Sequence, residues 1–381
     1  MAPYTIHPVA DKRSRQAFLE TPAAVMGQDP AFIAPLALEA AQKLDPKRHP
    51  FYGYGEAAFW VALDGAGKPV GRISAQINRR HQERHGAHEG HFGCLTAIDD
   101  PALFQDLLAQ AEAWLRTKGA TRSLGPASLS INEEIGLLVD GFDTPPMLLM
   151  GHDPAWAGPY VEAAGYGKAQ DLIAYRYDAA GGPPANLGRF AAKLKDIPGA
   201  RIRTFDKRHF NRDLTLILKI FNDAWSENWG FVPMTEREIN ALAHAFKAIA
   251  DYGLIFIVEI DDKAAGMAVS LPNVNEALAG LHGAGSLFGL LRLLWRVKIT
   301  GVTSARVLLM GVARLIQADM ARGPVVGFAL VDALAKAHAA KGYKTMELSW
   351  VLEGNGPMRR VAEMGGAVPY KTYRVYQRDL T

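Results

Sequence analysis

An arginine, two glycines and a proline set between apolar runs are the residues of this 381-residue chain that most directly suggest chemistry. The segment Arg322-Gly323-Pro324-Val325-Val326-Gly327 follows the apolar run Ala305 to Met310 and opens a helical pattern that ends at Lys341-Gly342. A second apolar run, Thr345 to Trp350, comes next, followed by Glu353 and Asn355. Strand, glycine-bearing turn, helix and parallel strand together make a βαβ unit. A helix N-terminus flanked by glycines holds phosphate through unpaired N–H donors and the helix dipole. Gly323 and Gly327 would equally suit a tight strand-to-helix turn without any ligand.

Other residues invite a chemical reading and carry a plainer one beside it. The stretch HQERHGAHEGH (81–91) holds four histidines, but no acidic or cysteine partner stands at metal-ligand spacing, so we expect an exposed loop and no metal. His282, set among glycines, is a candidate base, although a lone histidine is usually structural. In SLFGLLRLLWRVKITG, apolar Leu287, Phe288, Leu291, Leu294 and Trp295 surround Arg292, Arg296 and Lys298. A basic amphipathic helix with an interfacial tryptophan suits a bilayer surface or an acyl-chain entrance, and it also suits a core helix whose arginines reach the edge.

The elements that must position these residues follow from pattern and length. A chain of this size supports two domains, each with its own core. Apolar residues make up 49% and charged residues 21%, as in an ordinary globular protein, and a net charge of +3 does not argue for nucleic acid. One cysteine, Cys94, excludes an internal disulfide and any multi-cysteine metal site. No apolar core backs the charges of the N-terminus and no run is long enough to span a bilayer. We therefore expect a cytoplasmic protein, with any membrane contact peripheral and on the inner face.

The two halves share landmarks in one order. A hairpin carries Lys-x-x-Gly at Lys68/Gly71 and again at Lys263/Gly266. A helix ends at Lys118-Gly119 and again at Lys341-Gly342, and an Asn follows thirteen residues later in both, as Asn132 and Asn355. An aromatic strand comes last in each half. The Gly/Pro-rich stretch 179–187 reads as the linker between a domain at 1–178 and a domain at 188–381. The second copy carries an insertion over 277–300. Only this copy has the Arg-Gly-Pro loop, so the first is read as degenerate.

The order β-α-α-β-β-β-α-β-α-β in each half is that of the GNAT acyltransferase fold, and the loop from Arg322 to Gly327 resembles that family's Arg/Gln-x-x-Gly-x-Gly, with Val325 in a glycine position. The segments FYGYGEAAFW, PVGRISAQI, INEEIGLLVDGFDTPP, FNDAWSENWGFVP and ELSWVLEGNGPMRRVAEMGGAVPYKTYRVY look like those of the tandem-GNAT N-acyltransferase family that includes bacterial ceramide synthases. The resemblance covers nearly the whole chain. It implies an α/β fold of two tandem GNAT-like domains with mixed sheets flanked by helices. It also implies transfer of a long-chain acyl group from acyl-CoA to the amine of a sphingoid base, 3-ketosphinganine or sphinganine, without a metal.

The same resemblance implies roles for particular residues. Amides near Leu309, Met310 and Gly311 would contact the thioester, and Arg322, Gly323 and Gly327 the pyrophosphate. Glu353, just after the fifth strand, would be the general base, or a solvated loop carboxylate, and Asn355 an anchor for the donor or the loop. Glu133 and Glu134, at the matching place in the first half, would meet the acceptor's ammonium, or form an exposed acidic pair. Trp225, Asn228 and Trp229 would line the acceptor channel, or pack in the core, and Phe288 and Trp295 would meet the lipid. Many family members place a tyrosine acid where this chain has Val361, so thiolate departure would need another donor. Two other readings stay open: a different tandem-GNAT acyl or aminoacyl transferase, and a non-catalytic lipid-binding protein.

Overall fold

The computed structural model describes residues 3–179, 182–247 and 249–380. It divides into two compact units. Unit 1 comprises 1–172, 278–295 and 371–381, and unit 2 comprises 173–277 and 296–370. This spatial division interleaves the chain, unlike the linear one expected about 179–187.

The first half runs β1 (Tyr4–Pro8), α1 (Lys12–Met26), α2 (Ala37–Lys43), β2 (Gly55–Asp64), β3 (Pro69–Asn78), α3 (Arg79–His85), β4 (Glu89–Ala97), α4 (Pro101–Thr117) and β5 (Arg122–Gly125). Short strands β6 (Ala127–Ser128), β7 (Glu134–Ile135) and β8 (Leu137–Asp140), helix α5 (Ala157–Ala163) and the long strand β9 (Gly167–Asp178) follow. β1 to β4 form an antiparallel meander, and α4 carries the chain over to β5, which lies parallel to β4. The alternating apolar residues of β3 and β4 and the apolar stripe of α4 (Leu103, Leu107, Ala111, Leu115) close the core of unit 1.

The second half repeats the plan: α6 (Ala185–Ala191), β10 (Ala200–Thr204), α7 (Phe210–Ala224), α8 (Glu236–Phe246), β11 (Ile255–Ile260), β12 (Lys263–Pro272), α9 (Val274–Leu278) and α10 (Leu287–Trp295). Then come β13 (Ser304–Val312), α11 (Arg314–Gln317), α12 (Arg322–Ala340), β14 (Thr345–Leu352), α13 (Gly356–Met364) and β15 (Val368–Asp379). β10 to β13 form the meander and α12 is the crossover to parallel β14. Val326, Leu330 and Leu334 of α12 anchor the core of unit 2.

Three local expectations change. From Lys371 onward the last strand belongs to unit 1, where β15 pairs antiparallel with β5 and β8. Conversely the end of β9 from Ile173 onward belongs to unit 2, where Tyr175 and Tyr177 pack in the core, while β9 up to Leu172 stays in unit 1. The expected linker is only partly one: residues 180–181 lie outside the described set, Ala179 is buried, and α6 already starts at Ala185. There Phe190 stacks on Phe328 of α12 at 5.3 Å between ring centroids.

The histidine-rich stretch is not an exposed loop. It forms α3 and the start of β4, with His81 and His91 buried and their rings 4.5 Å apart. His81 Nε2 lies 2.7 Å from Glu89, and burial, with His81 and His85 beside it, holds His91 well below the usual histidine range. Among the described residues no group of three or more His, Cys, Asp or Glu is placed to hold a metal ion.

Candidate functional site

β13 and β14 pair in parallel from Ser304–Thr345 to Val307–Leu348, and both strands run on beyond that ladder, to Val312 and Leu352. The other edge of β13 is irregular at the same point. Its register with β12 shifts between Val269, opposite Leu309, and Ser270, opposite Val307, leaving Leu308 as the extra residue of a β-bulge. The bulge brings Leu308 and Leu309 to one pocket, whereas Val307 and Met310 line a different one. From Leu308 onward β13 is only half-buried.

The first of these pockets lies among β12, β13, α7 and α8. Its lining includes Leu214, Ile217, Leu242 and Phe246, and it is a half-open apolar depression whose ≈ 550 Å³ of atom-free space includes open solvent at its mouth. The start of α8 is held by hydrogen bonds. Asn222 of α7 exchanges two hydrogen bonds with the backbone of Met234, at 3.0 and 2.8 Å, and a Thr235–Glu238 capping box starts α8.

Gly311 marks a close approach. A Cβ there would run into the indole of Trp225, which follows α7 and packs on Phe221 at 4.9 Å between ring centroids. The expected acceptor-channel residue and the expected donor strand are therefore in contact. Asn228 continues the turn, donating its N–H to the Trp225 carbonyl at 2.8 Å, and Trp229 is half-buried. Asp223 accepts the N–H of Arg314 at 2.7 Å, which fixes the end of α7 to the start of α11.

The glycine segment is not a loop: Arg322 to Gly327 form the first turns of α12. Gly323 is needed because the backbone of Ile316 and Gln317 passes close by, and open space lies where a Gly327 Cβ would stand. Val325, in the glycine position, packs against the unit 2 core. The donors one would aim at a phosphate are engaged. Asp319 takes the N–H of Ala321 at 2.9 Å and of Arg322 at 3.0 Å with its carboxylate, and that of Gly323 at 2.9 Å with its carbonyl. Pro324 has no N–H. These bonds hold the Asp319 carboxyl below the usual range.

Where β13 and β14 are still paired, they carry a buried charge pair that the sequence reading passed over. Arg306 and Glu347 are 1% and 0% exposed, 3.5 Å apart. Arg306 also donates to Ser349 Oγ at 2.8 Å and to the Ser349 carbonyl at 3.2 Å, and its guanidinium lies 4.9 Å from the Trp350 ring centroid. Tyr370 and Ser349 hydroxyls donate to Glu347. Two ions can be buried this deeply only when paired and hydrogen-bonded. The signal was present: a charge interrupting each of two neighbouring apolar strand runs.

No protein-family model matches the chain. Over 380 residues it is 46% identical to the bacterial ceramide synthase of Caulobacter vibrioides, covering 100% of this chain and 98% of that one. The chain belongs to the bacterial ceramide synthase family. It is also 40% identical over 375 residues to Protein YghO of Escherichia coli, covering 97% and 94% of the two chains. Among solved structures, a tandem GNAT protein from the clavulanic acid biosynthesis pathway aligns with TM-score 0.59 at 13% identity, over 100% of this chain and 99% of that one. A GCN5-related N-acetyltransferase from Sphaerobacter thermophilus aligns with TM-score 0.57 at 14% identity, over 100% and 97%. The fold of this ceramide synthase family member is thus the tandem GNAT fold, and the family is one of acyl-transferring enzymes.

The remaining expected site residues are spread over both units. Glu353 follows β14 and is half-buried, and its carbonyl accepts from Arg359 at 3.2 Å. Asn355 is the N-cap of α13, its Oδ1 accepting the Met358 N–H at 3.1 Å. His282 is exposed and, like Phe288 and Trp295 on α10, belongs to unit 1. Phe288 is 74% and Trp295 57% exposed. Glu133 and Glu134 belong to a charged cluster in unit 1, Glu133 facing His49 at 3.5 Å and Glu134 facing Lys43 at 3.2 Å.

That cluster includes a group missed from sequence, Asp153. It and Glu134 converge over Gly151, whose hydrogen-only side chain leaves them room. Burial pushes Asp153 up to about 7; the Leu138 N–H, 2.9 Å away, and Arg72 oppose this, and Glu134 adds to it. Nothing in the sequence spacing signals that pairing.

Proposed function

We propose that the protein is an acyl-CoA-dependent N-acyltransferase that moves a long-chain fatty acyl group to the amine of a sphingoid base, 3-ketosphinganine or sphinganine, giving a (dihydro)ceramide-type amide. The observation that carries this reading is the full-length 46% identity to the bacterial ceramide synthase. The parting of β13 from β14 at the Leu308 bulge supports it, because it leaves strand backbone beside Trp225 where a thioester could be held.

In the proposed reaction the neutral amine attacks the thioester carbonyl, the C–N bond forms and the C–S bond breaks. The thiolate leaves and is protonated by solvent, as Val361 offers no acid. Glu353, at the open end of β14, takes the amine's proton, and backbone amides of Leu309–Gly311 stabilise the oxyanion. Arg322 and the first turn of α12 are proposed for the pyrophosphate, on condition that Asp319 releases its N–H groups. Asn355, a helix cap, holds the segment carrying Glu353. His282 and the paired Glu133 and Glu134 carry no step.

A peripheral contact with an anionic bilayer is part of the proposal. Among the described residues no helix is long and apolar enough to cross a membrane. Leu287, Phe288, Leu291 and Trp295 of α10 are all more than half exposed, and residues 277–303 hold no acidic side chain while including Arg292, Arg296 and Lys298. The test of function is release of coenzyme A and formation of amide from palmitoyl-CoA and sphinganine by the purified protein. Absence of transfer with donors from C8 to C20 would sink the enzyme reading. Transfer confined to acetyl-CoA and small amines would discard the lipid assignment. Glu353→Gln should lower kcat, and unchanged turnover would remove it as the base.

A further inference from the structure

The pocket among β12, β13, α7 and α8 has a chemistry that the charged residues nearby do not share. Among the described residues no charged side chain lines it, and the Tyr252 side chain is the one polar group among walls of Leu, Ile, Phe, Val and Ala. Protein interiors are normally packed without such space, because every void forfeits dispersion contacts along its lining. An apolar depression open to solvent on one side gains by taking up hydrocarbon, which removes its lining from water. Water would find too few partners here.

Its place in the fold says which hydrocarbon. Leu308 and Leu309, turned together by the bulge, form the wall of the pocket on the very strand that parts from β14. A carbonyl held at that parting would lie against the same strand whose Leu308 and Leu309 line the space under α8. The helix above is fastened through Asn222, Thr235 and Glu238 at its first turn, while Leu242 and Ala243 at its middle remain half-buried against the pocket.

We propose that this pocket seats the hydrocarbon chain of the acyl donor and sets the chain length the enzyme accepts. The inference rests on the N-acyltransferase reading, and its test separates the two. Ala243→Phe places a ring in the pocket, and Ala243→Leu is a smaller change for use if the first does not fold. Each methylene removed from water contributes about fourfold in affinity, so losing room for several should lower kcat/KM for palmitoyl-CoA by ten-fold or more. Octanoyl-CoA should be used as well by the variants as by the parent.

A series of acceptor amines with short and long chains, run at fixed donor, gives the second arm. The ratio between long and short acceptors should stay unchanged in the variants. An unaltered donor-chain profile, or a shift in the acceptor profile instead, would overturn the assignment. If the parent protein transfers no acyl group at all, the enzyme reading fails, and direct titration with palmitoyl-CoA and octanoyl-CoA still judges the pocket. Weaker binding of the longer donor alone in Ala243→Leu would support it, and equal binding by parent and variant would overturn it.

Discussion

Single residues set the electrostatics of each unit, and two of them yield predictions. Asp319 places a carboxylate on the first N–H groups of α12, where a pyrophosphate would compete for the same donors. Asp319→Ala frees those donors and removes a like charge, so KM for acyl-CoA should fall severalfold with kcat little changed; steady-state kinetics at low ionic strength would show it, and a raised KM would mean that Asp319 instead organises the site. Asp153 acts on stability. Its carboxyl rises from 3.8 to about 7 on folding, so the folded state binds more protons than the unfolded one between those values, and stability falls as pH rises through that window and is flat above it. Asp153→Asn keeps an acceptor for the Leu138 N–H and removes the titration. By urea unfolding it should exceed the parent by on the order of 2 kcal/mol at pH 8, allowing for partial exposure, with the difference closing toward pH 4. Gly311 could be singled out in the sequence because a glycine inside an apolar strand marks a close approach, here that of Trp225. Asp319 and Asp153 could not, since what matters is whether a carboxylate folds back on a helix start or is driven against Glu134.

At the scale of elements, periodicity was a good guide and phase was not. The two-residue alternation of β12 and β13 and the helical stripes of α4 and α12 were plain in the apolar pattern, so the meander and crossover of each unit followed. The Leu308 bulge breaks that alternation by one residue within the apolar stretch Val307 to Met310, and no spacing rule detects an extra residue whose neighbours Val307 and Leu309 are apolar too. The same ambiguity turned the first turns of α12 into an expected loop, because Gly and Pro signal turns and also tolerate helix starts. The insertion around α10 was legible as basic and amphipathic, and the structure adds that Leu287, Phe288, Leu291 and Trp295 face solvent while Leu293 is buried. Phe288→Asp together with Trp295→Asp should abolish sedimentation with vesicles containing anionic phosphatidylglycerol while leaving the thermal transition in place. Equal sedimentation of parent and variant would remove α10 as the contact.

On the scale of the whole molecule, the tandem repeat was legible but its chain exchange was not, since pairing partners are chosen by edge geometry rather than by sequence order. β15 residues from Lys371 onward complete unit 1, with Tyr373, Val375 and Tyr376 wholly buried and Tyr376 opposite Gly125 of β5. Lys371, itself 1% exposed, donates to the carbonyls of Gly141 and Thr144 at 2.7 and 2.6 Å, and Arg374 pairs with Asp171 at 2.8 Å. Removing these residues strips a strand from β5 and β8 and opens a hole in a core whose other members come from the first half of the chain. Each wholly buried aromatic lost costs about 3–5 kcal/mol, and a domain holds only about 5–15 kcal/mol in reserve. A chain ending at Tyr370 should therefore lose protection against hydrogen exchange in β4, α4 and β5, more than two hundred residues away in sequence, before it loses protection in β12, β13 and α12. Even loss in both units, or loss confined to unit 2, would show that the C-terminal strand does not belong energetically to the unit in which it lies.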